Sequence, residues 1–207
     1  MTLRPLADKV VVKLVEMEET TNSGIILASA SPRRRELMSV ITPDFSAVSI
    51  DADETLPQGI PALTASEYLA EIKAAAAAEI YPDDVVIGCD TTVICGEEIL
   101  GKPKDKEECR RFINMLSGRT HQVATGCCII SKGEKFSFTE VTDVTFRQLT
   151  AEEIEDYIST DEPYDKAGGY GRQGKAALLI EKINGDYFNV VGLPLSRLNQ
   201  TLKNYKE

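Results

Sequence analysis

Three aliphatic residues, Ile25-Ile26-Leu27, run through Ala28 into Ser29-Ala30-Ser31-Pro32, and three consecutive arginines, Arg33 to Arg35, follow before Glu36-Leu37. The apolar run is long enough only for a buried strand, and Pro32 suits the first turn of a helix, so the stretch predicts a strand, a tight turn and a helix. Small residues let a backbone come close to a ligand, and a helix N-terminus offers free N–H groups carrying partial positive charge. The ordinary alternative is a basic first turn on a surface helix. Each exposed cation placed there, however, costs about 0.3–1 kcal/mol. An anion offsets that cost, so Ser29, Ser31, Arg33 and Arg34 are read as a phosphate-binding turn, with the arginines as forked donors.

The 207-residue chain suits one domain or two small lobes sharing a core. A net charge of −10 argues against binding a nucleic-acid polymer, which needs a basic face. A local cluster of Arg and Lys can still dominate a pocket, because exposed charges beyond about 8 Å are screened at physiological salt. No apolar run approaches the roughly 18 residues of a membrane helix and no signal-peptide core is seen, so a cytoplasmic protein without a membrane is expected. The five cysteines are odd in number and contain no C-x-x-C spacing, and there is one histidine. Free buried thiols are therefore expected rather than a zinc site, with Cys127 and Cys128 on opposite faces of a strand.

Along the chain, the pattern predicts a strand over Lys9–Leu14, a helix over Arg33–Val40 and a strand over Ala47–Ile50 that leads into the acidic turn at Asp51–Glu54. Thr64 to Glu67 has capping-box spacing and would open an alanine-rich helix to Ile80 that carries Lys73. Val85–Cys89 reads as a buried strand delivering Asp90-Thr91 at its C-terminal end, where open α/β sheets bind ligands. A hairpin is expected over Val93–Ile99, turning at Cys95-Gly96, and then the loop Leu100-Gly101-Lys102-Pro103. Asp105 caps a helix to Leu116, strands fall at Gln122–Ser131 and Lys135–Phe146, and Thr150 to Glu153 repeats the capping-box spacing. After the glycine-rich loop Asp165–Gly174, a hairpin is expected with Asn184-Gly185 at its turn, and Pro194 starts a last helix. His121 reads as a hydrogen-bonded structural residue and Tyr170 as core or loop packing, with base stacking by Tyr170 left open. Helices alternating with strands and hairpins indicate an α/β fold: a mixed twisted sheet with flanking helices.

Two resemblances follow. Residues 1–27, ending in GIIL, are similar to the opening of the ring-forming co-chaperonins of the GroES type, but the rest of that barrel is absent. Residues 1–22 are therefore read as an appended segment, and chaperonin binding is not expected because Ile25 to Leu27 are wanted in the core. From residue 23 onward the chain resembles the Maf-type nucleoside triphosphate pyrophosphatases. The resemblance rests on ASASPRRREL (28–37), Asp53-Glu54, Lys73-Ala74, GCDTTV (88–93), LGKP (100–103), LSGRTHQV (116–123) and DKAGGYGRQG (165–174), in family order.

That resemblance implies a two-lobed, inosine-triphosphatase-like architecture with a central cleft. It implies hydrolysis between the α and β phosphates with a divalent cation, Mg²⁺ or Mn²⁺, and a homodimer. Asp90, Lys102, Arg33 and Lys73 would be catalytic. Ser29, Ser31, Arg34, Thr91 and Gln173 would bind the nucleoside triphosphate, and Glu54 and Asp90 would hold the metal. The glycine-rich loop places the chain with the branch acting on dTTP and UTP, although Gly169 and Arg172 stand where alanine and isoleucine are usual. Action on methylated GTP or another noncanonical nucleotide stays open, as does a septum-formation regulator in which turnover is incidental.

Overall fold

The computed structural model describes residues 24–205. The strand expected at Lys9–Leu14 and the appended segment, residues 1–22, lie outside the described residues. Strand β1 (Ile25–Ala28) runs into helix α1 (Pro32–Ile41), as the opening stretch predicts, and strand β2 (Ser46–Val48) follows. Helix α2 (Ala62–Ile80) leads to strand β3 (Val85–Cys95), and β1 lies parallel to both β2 and β3. Strand β4 (Glu98–Leu100) turns back on β3, and helix α3 (Lys106–Leu116) precedes the long antiparallel pair β5 (Thr120–Ser131) and β6 (Glu134–Phe146). Helix α4 (Ala151–Ile158), strand β7 (Ile180–Asn184), a short helix α5 (Tyr187–Val191) and helix α6 (Leu195–Leu202) complete the described chain. The sheet order is β2-β1-β3-β5-β6-β7, with β4 against β3.

Strand β3 does not end at Cys89. Its pairing with β1 stops at Ala28↔Gly88, but its other edge stays laddered to β5 as far as Ile94↔Gln122, so the strand continues to Cys95. Asp90 and Thr91 thus lie mid-strand, just beyond the point where β1 leaves the sheet. The opening that a strand terminus would have offered is still there, made by the departing neighbour. The β3–β4 turn falls at Gly96-Glu97, one residue later than expected.

Two further expectations are corrected. Helix α2 begins at Ala62 behind Pro61, and the Thr64 hydroxyl donates to the Pro61 carbonyl at 2.9 Å instead of capping. Glu67 is drawn to the sheet, where it accepts from the Thr139 hydroxyl at 2.6 Å. No hairpin turns at Asn184-Gly185, because Asp186 accepts from the Phe188 N–H at 2.7 Å and caps α5. The capping box at Thr150 and Glu153 and the Asp105 cap form as expected.

Helices α1 and α6 cover one face of the sheet over Leu27, Ile87, Cys127 and Ile129, and α2 covers the other over Ile26, Val86 and Cys128. A third cluster, around Phe112, Val123, Phe146 and Tyr157, fills the lobe built on α3 and α4. Cys127 and Cys128 therefore point to opposite faces, and all five thiols are free. Helix α2 lies unusually close to the sheet. A Cβ on Gly88 would meet the Ala70 carbonyl oxygen at 2.2 Å, and one on Gly126 would meet the Glu67 nitrogen at 2.3 Å. Ala70, Ala74 and Ala77 are fully buried at that contact. The alanine run of the sequence is thus the surface that lets helix and sheet touch backbone to backbone.

His121 is a core residue, as expected. Its Nε2 meets the Tyr170 hydroxyl, Phe146 and Tyr170 pack edge-on against it, and Nδ1 has no partner among the described residues. Burial pushes its pKa down from 6.5 to about 4. Below about pH 6.5 the unfolded imidazole takes up a proton that the folded one refuses until about pH 4. Stability is therefore full above that window and falls by about 3 kcal/mol on acidification through it. Denaturant titrations at pH 7 and pH 4 should find a smaller loss by about that amount in His121→Gln than in the parent. Equal losses in the two chains would contradict this account.

Candidate active site

A cleft of about 970 Å³ opens between the two lobes, and Ser29, Ser31, Arg33, Arg34, Glu54, Lys73, Asp90, Thr91, Lys102 and Gln173 all line it. Seven of these ten residues are brought to the cavity by three events. The β1–α1 turn supplies the first four, the close seat of α2 supplies Lys73, and the exit of β1 from the sheet exposes Asp90 and Thr91.

At the floor, the Lys73 ammonium donates to Asp90 Oδ1 at 2.6 Å and lies 3.1 Å from Glu54 Oε2. The Lys73 and Asp90 side chains are each 14% exposed, whereas that of Glu54 is 51% exposed. Because α2 touches β3 through Gly88, one helical turn places Lys73 above the carboxylate two residues along the strand. Two carboxylates converging on one ammonium leave an excess negative charge, made of hard oxygen donors.

The turn is built as the sequence predicts. Ser31 caps α1 by accepting from the Arg34 N–H at 3.4 Å, and Ser29 Oγ accepts from the Ser31 N–H at 3.3 Å. Arg34 is almost fully engaged with the protein. Its Nε donates to the Gly192 carbonyl at 2.8 Å, Nη1 to the Cys89 carbonyl at 2.9 Å and to Ser29 Oγ at 3.4 Å, and Nη2 to Thr91 Oγ1 at 2.9 Å. One Nη2 N–H is left without a partner among the described residues. Arg33 reaches instead across the cleft to Asp165, 3.4 Å away. Burial opposes ionisation of Asp165, but Lys166 and Arg33 outweigh it and hold the carboxyl below its usual range.

Lys102 and Gln173 are exposed at the rim. The glycine-rich loop holds one 3₁₀ turn, Ala167–Gly169, and is flanked by two more, Glu162–Asp165 and Lys175–Leu178; the Glu162 carboxylate ties the flanks together by accepting from the Lys175 and Ala176 N–H groups. Tyr170 is buried within the loop against His121 and also lines the cleft.

Residues 24–205 match the family model described as Maf-like protein. The chain belongs to the Maf family. Among curated relatives of this Maf domain, the dTTP/UTP pyrophosphatase of Bacillus cytotoxicus is 46% identical over 180 residues, covering 87% of this chain and 94% of the relative. The dTTP/UTP pyrophosphatase of a Geobacillus species is 49% identical over 179 residues, covering 86% and 96%. The solved structure of the Staphylococcus aureus Ham1 protein superposes with a TM-score of 0.54 at 18% identity, covering 88% of this chain and 99% of that one. At that identity the likeness concerns the fold alone, a mixed sheet with flanking helices.

Behind the wall of the Maf cleft stand Thr125 and Asn189, and Gly192 lines it; the sequence gives no sign of these three. Thr125 lies opposite Thr91 only through the β3–β5 register, and Asn189 sits in the segment taken for part of a hairpin. No spacing in the sequence signals either contact.

Proposed function

We propose that the chain is a nucleoside triphosphate pyrophosphatase that cleaves dTTP and UTP between the α and β phosphates, giving the monophosphate and pyrophosphate. The observation that carries this reading is the Glu54–Lys73–Asp90 trio beside an arginine-bearing helix N-terminus in one cleft. The names of the Maf relatives support the substrate class. The phosphates lie on the turn from Ser29 to Arg34. Ser29 Oγ already accepts two N–H groups, so its own proton is available to a phosphate oxygen. Arg33, Arg34 and Lys102 neutralise charge developing on the departing pyrophosphate. Asp90 orients the attacking water and takes its proton, with Lys73 holding the carboxylate in place. Gln173, at the rim, offers both a donor and an acceptor to a pyrimidine edge.

Among the described residues no three His, Cys, Asp or Glu side chains gather to hold an ion by themselves. The two carboxylates Glu54 and Asp90 nevertheless fit a cation that takes its remaining ligands from water and substrate phosphates, as Mg²⁺ does. When bound, Mg²⁺ or Mn²⁺ supplies positive charge to the phosphoanhydride oxygens.

A panel of dTTP, UTP, 7-methyl-GTP and ITP, assayed for pyrophosphate with Mg²⁺ or Mn²⁺, tests the substrate assignment. Preferential release from dTTP and UTP is expected, whereas preference for ITP or 7-methyl-GTP would overturn it.

A further inference from the structure

A line of hydrogen bonds runs from Arg34 away from the cleft into the core. Arg34 Nη2 donates to Thr91 Oγ1 at 2.9 Å, the Thr91 and Thr125 hydroxyls are 2.9 Å apart, and Thr125 Oγ1 donates to the Asn189 carbonyl at 3.0 Å. A guanidinium only donates, a backbone carbonyl only accepts, and a hydroxyl has one proton. The order of protons is therefore fixed. Thr125 gives its proton to Asn189, so the bond between the two threonines uses the proton of Thr91, and Thr91 receives Arg34 on a lone pair.

The far end is anchored. Thr125 and Asn189 are fully buried, and Asn189 Nδ2 donates to the Val123 carbonyl at 3.0 Å and to Thr142 Oγ1 at 2.9 Å. The Thr142 hydroxyl passes its own proton to the Asp186 carbonyl at 3.1 Å. Gly192, three residues after Asn189, accepts from Arg34 Nε at 2.8 Å. Residues 189–192 thus grip the guanidinium twice, once directly and once through two threonines.

We propose that Thr125 and Asn189 are positioning residues for the phosphate end of the cleft, acting through Thr91 to hold the Arg34 guanidinium with one N–H turned to the ligand. This rests on reading the cleft as a nucleoside triphosphate site. Neither residue reaches the cleft, so their effect is on the aim of Arg34. A chain whose protons all point away from the cation holds it more firmly than isolated bonds would. Misplacement of a charged group at a reacting phosphate is strongly felt in rate.

The test compares the parent with Thr125→Val and Thr125→Ser. It measures dTTP hydrolysis at 25 °C, calorimetric binding of inorganic tripolyphosphate, and Tm. Valine keeps the shape and removes the relay, so kcat/KM should fall roughly 10- to 100-fold and tripolyphosphate affinity roughly 10-fold, with serine restoring most of both. A lower Tm with both functional readouts retained at 25 °C would reduce Thr125 to a structural role and overturn the proposal. A parent that binds tripolyphosphate but hydrolyses no triphosphate would refute the pyrophosphatase reading, and the affinity comparison would then decide this one. A parent that neither binds nor hydrolyses would overturn both.

Discussion

Asp90→Asn is expected to lower kcat for pyrophosphate release from dTTP by roughly 10²–10⁴-fold, the usual worth of a general base, while leaving the fold intact. Asparagine keeps the shape of the side chain and can still accept from Lys73, but it cannot take a proton from water. Lys73 is not stranded by the change, because Glu54 remains 3.1 Å from its ammonium. The Tm should therefore move little and the nucleotide should still bind the turn at Ser29–Arg34. Measuring kcat and KM for parent and variant, beside thermal unfolding, separates the possibilities. A variant with parental kcat would remove Asp90 from the chemistry.

The second large effect comes from a residue with no functional group at all. Gly88→Ala is expected to destabilise the protein by about 3 kcal/mol and to reduce activity together with it. The added methyl would sit 2.2 Å from the Ala70 carbonyl oxygen and 2.7 Å from the Ala74 nitrogen. Both are backbone atoms, so no side chain can swing aside and α2 itself must lift from the sheet. Lys73 lies between those two residues on the helix and would move with it, loosening its 2.6 Å bond to Asp90. For a chain of this length the stability loss corresponds to a fall in Tm of roughly 6–12 °C. A variant with parental Tm would show that α2 is seated farther from β3 than the present geometry has it.

These two residues also mark how much the sequence discloses. Asp90 and the arginine turn stand out in the sequence because each follows an apolar run in a motif of chemically distinctive residues, whereas Lys73 on an alanine-rich helix and Glu54 in an acidic run are singled out only through the resemblance to the family; all of them line the one cleft. The strand–turn–helix at Ile25–Ile41 and the capping box at Thr150 were legible because periodicity and capping are local. What failed was what depends on a neighbour. Val85–Cys89 ends its apolar pattern at Cys89, yet the ladder offered by β5 carries the strand to Cys95. Asn184-Gly185 has hairpin chemistry, but Asp186 captures the Phe188 N–H and starts a helix. Thr64 and Glu67 have the spacing of a cap, but Pro61 starts the helix earlier and Glu67 is taken by Thr139. Thr125 and Asn189 carry no local signal, since their partners are set by register and by the packing of α5.

The reaction itself is tested most directly by following dTTP with ³¹P NMR in the presence of Mg²⁺, with the parent protein and Asp90→Asn side by side. The account predicts equal build-up of dTMP and pyrophosphate with the parent and an essentially unchanged triphosphate spectrum with the variant. Appearance of dTDP and orthophosphate, or product formation that Asp90→Asn leaves undiminished, would contradict it.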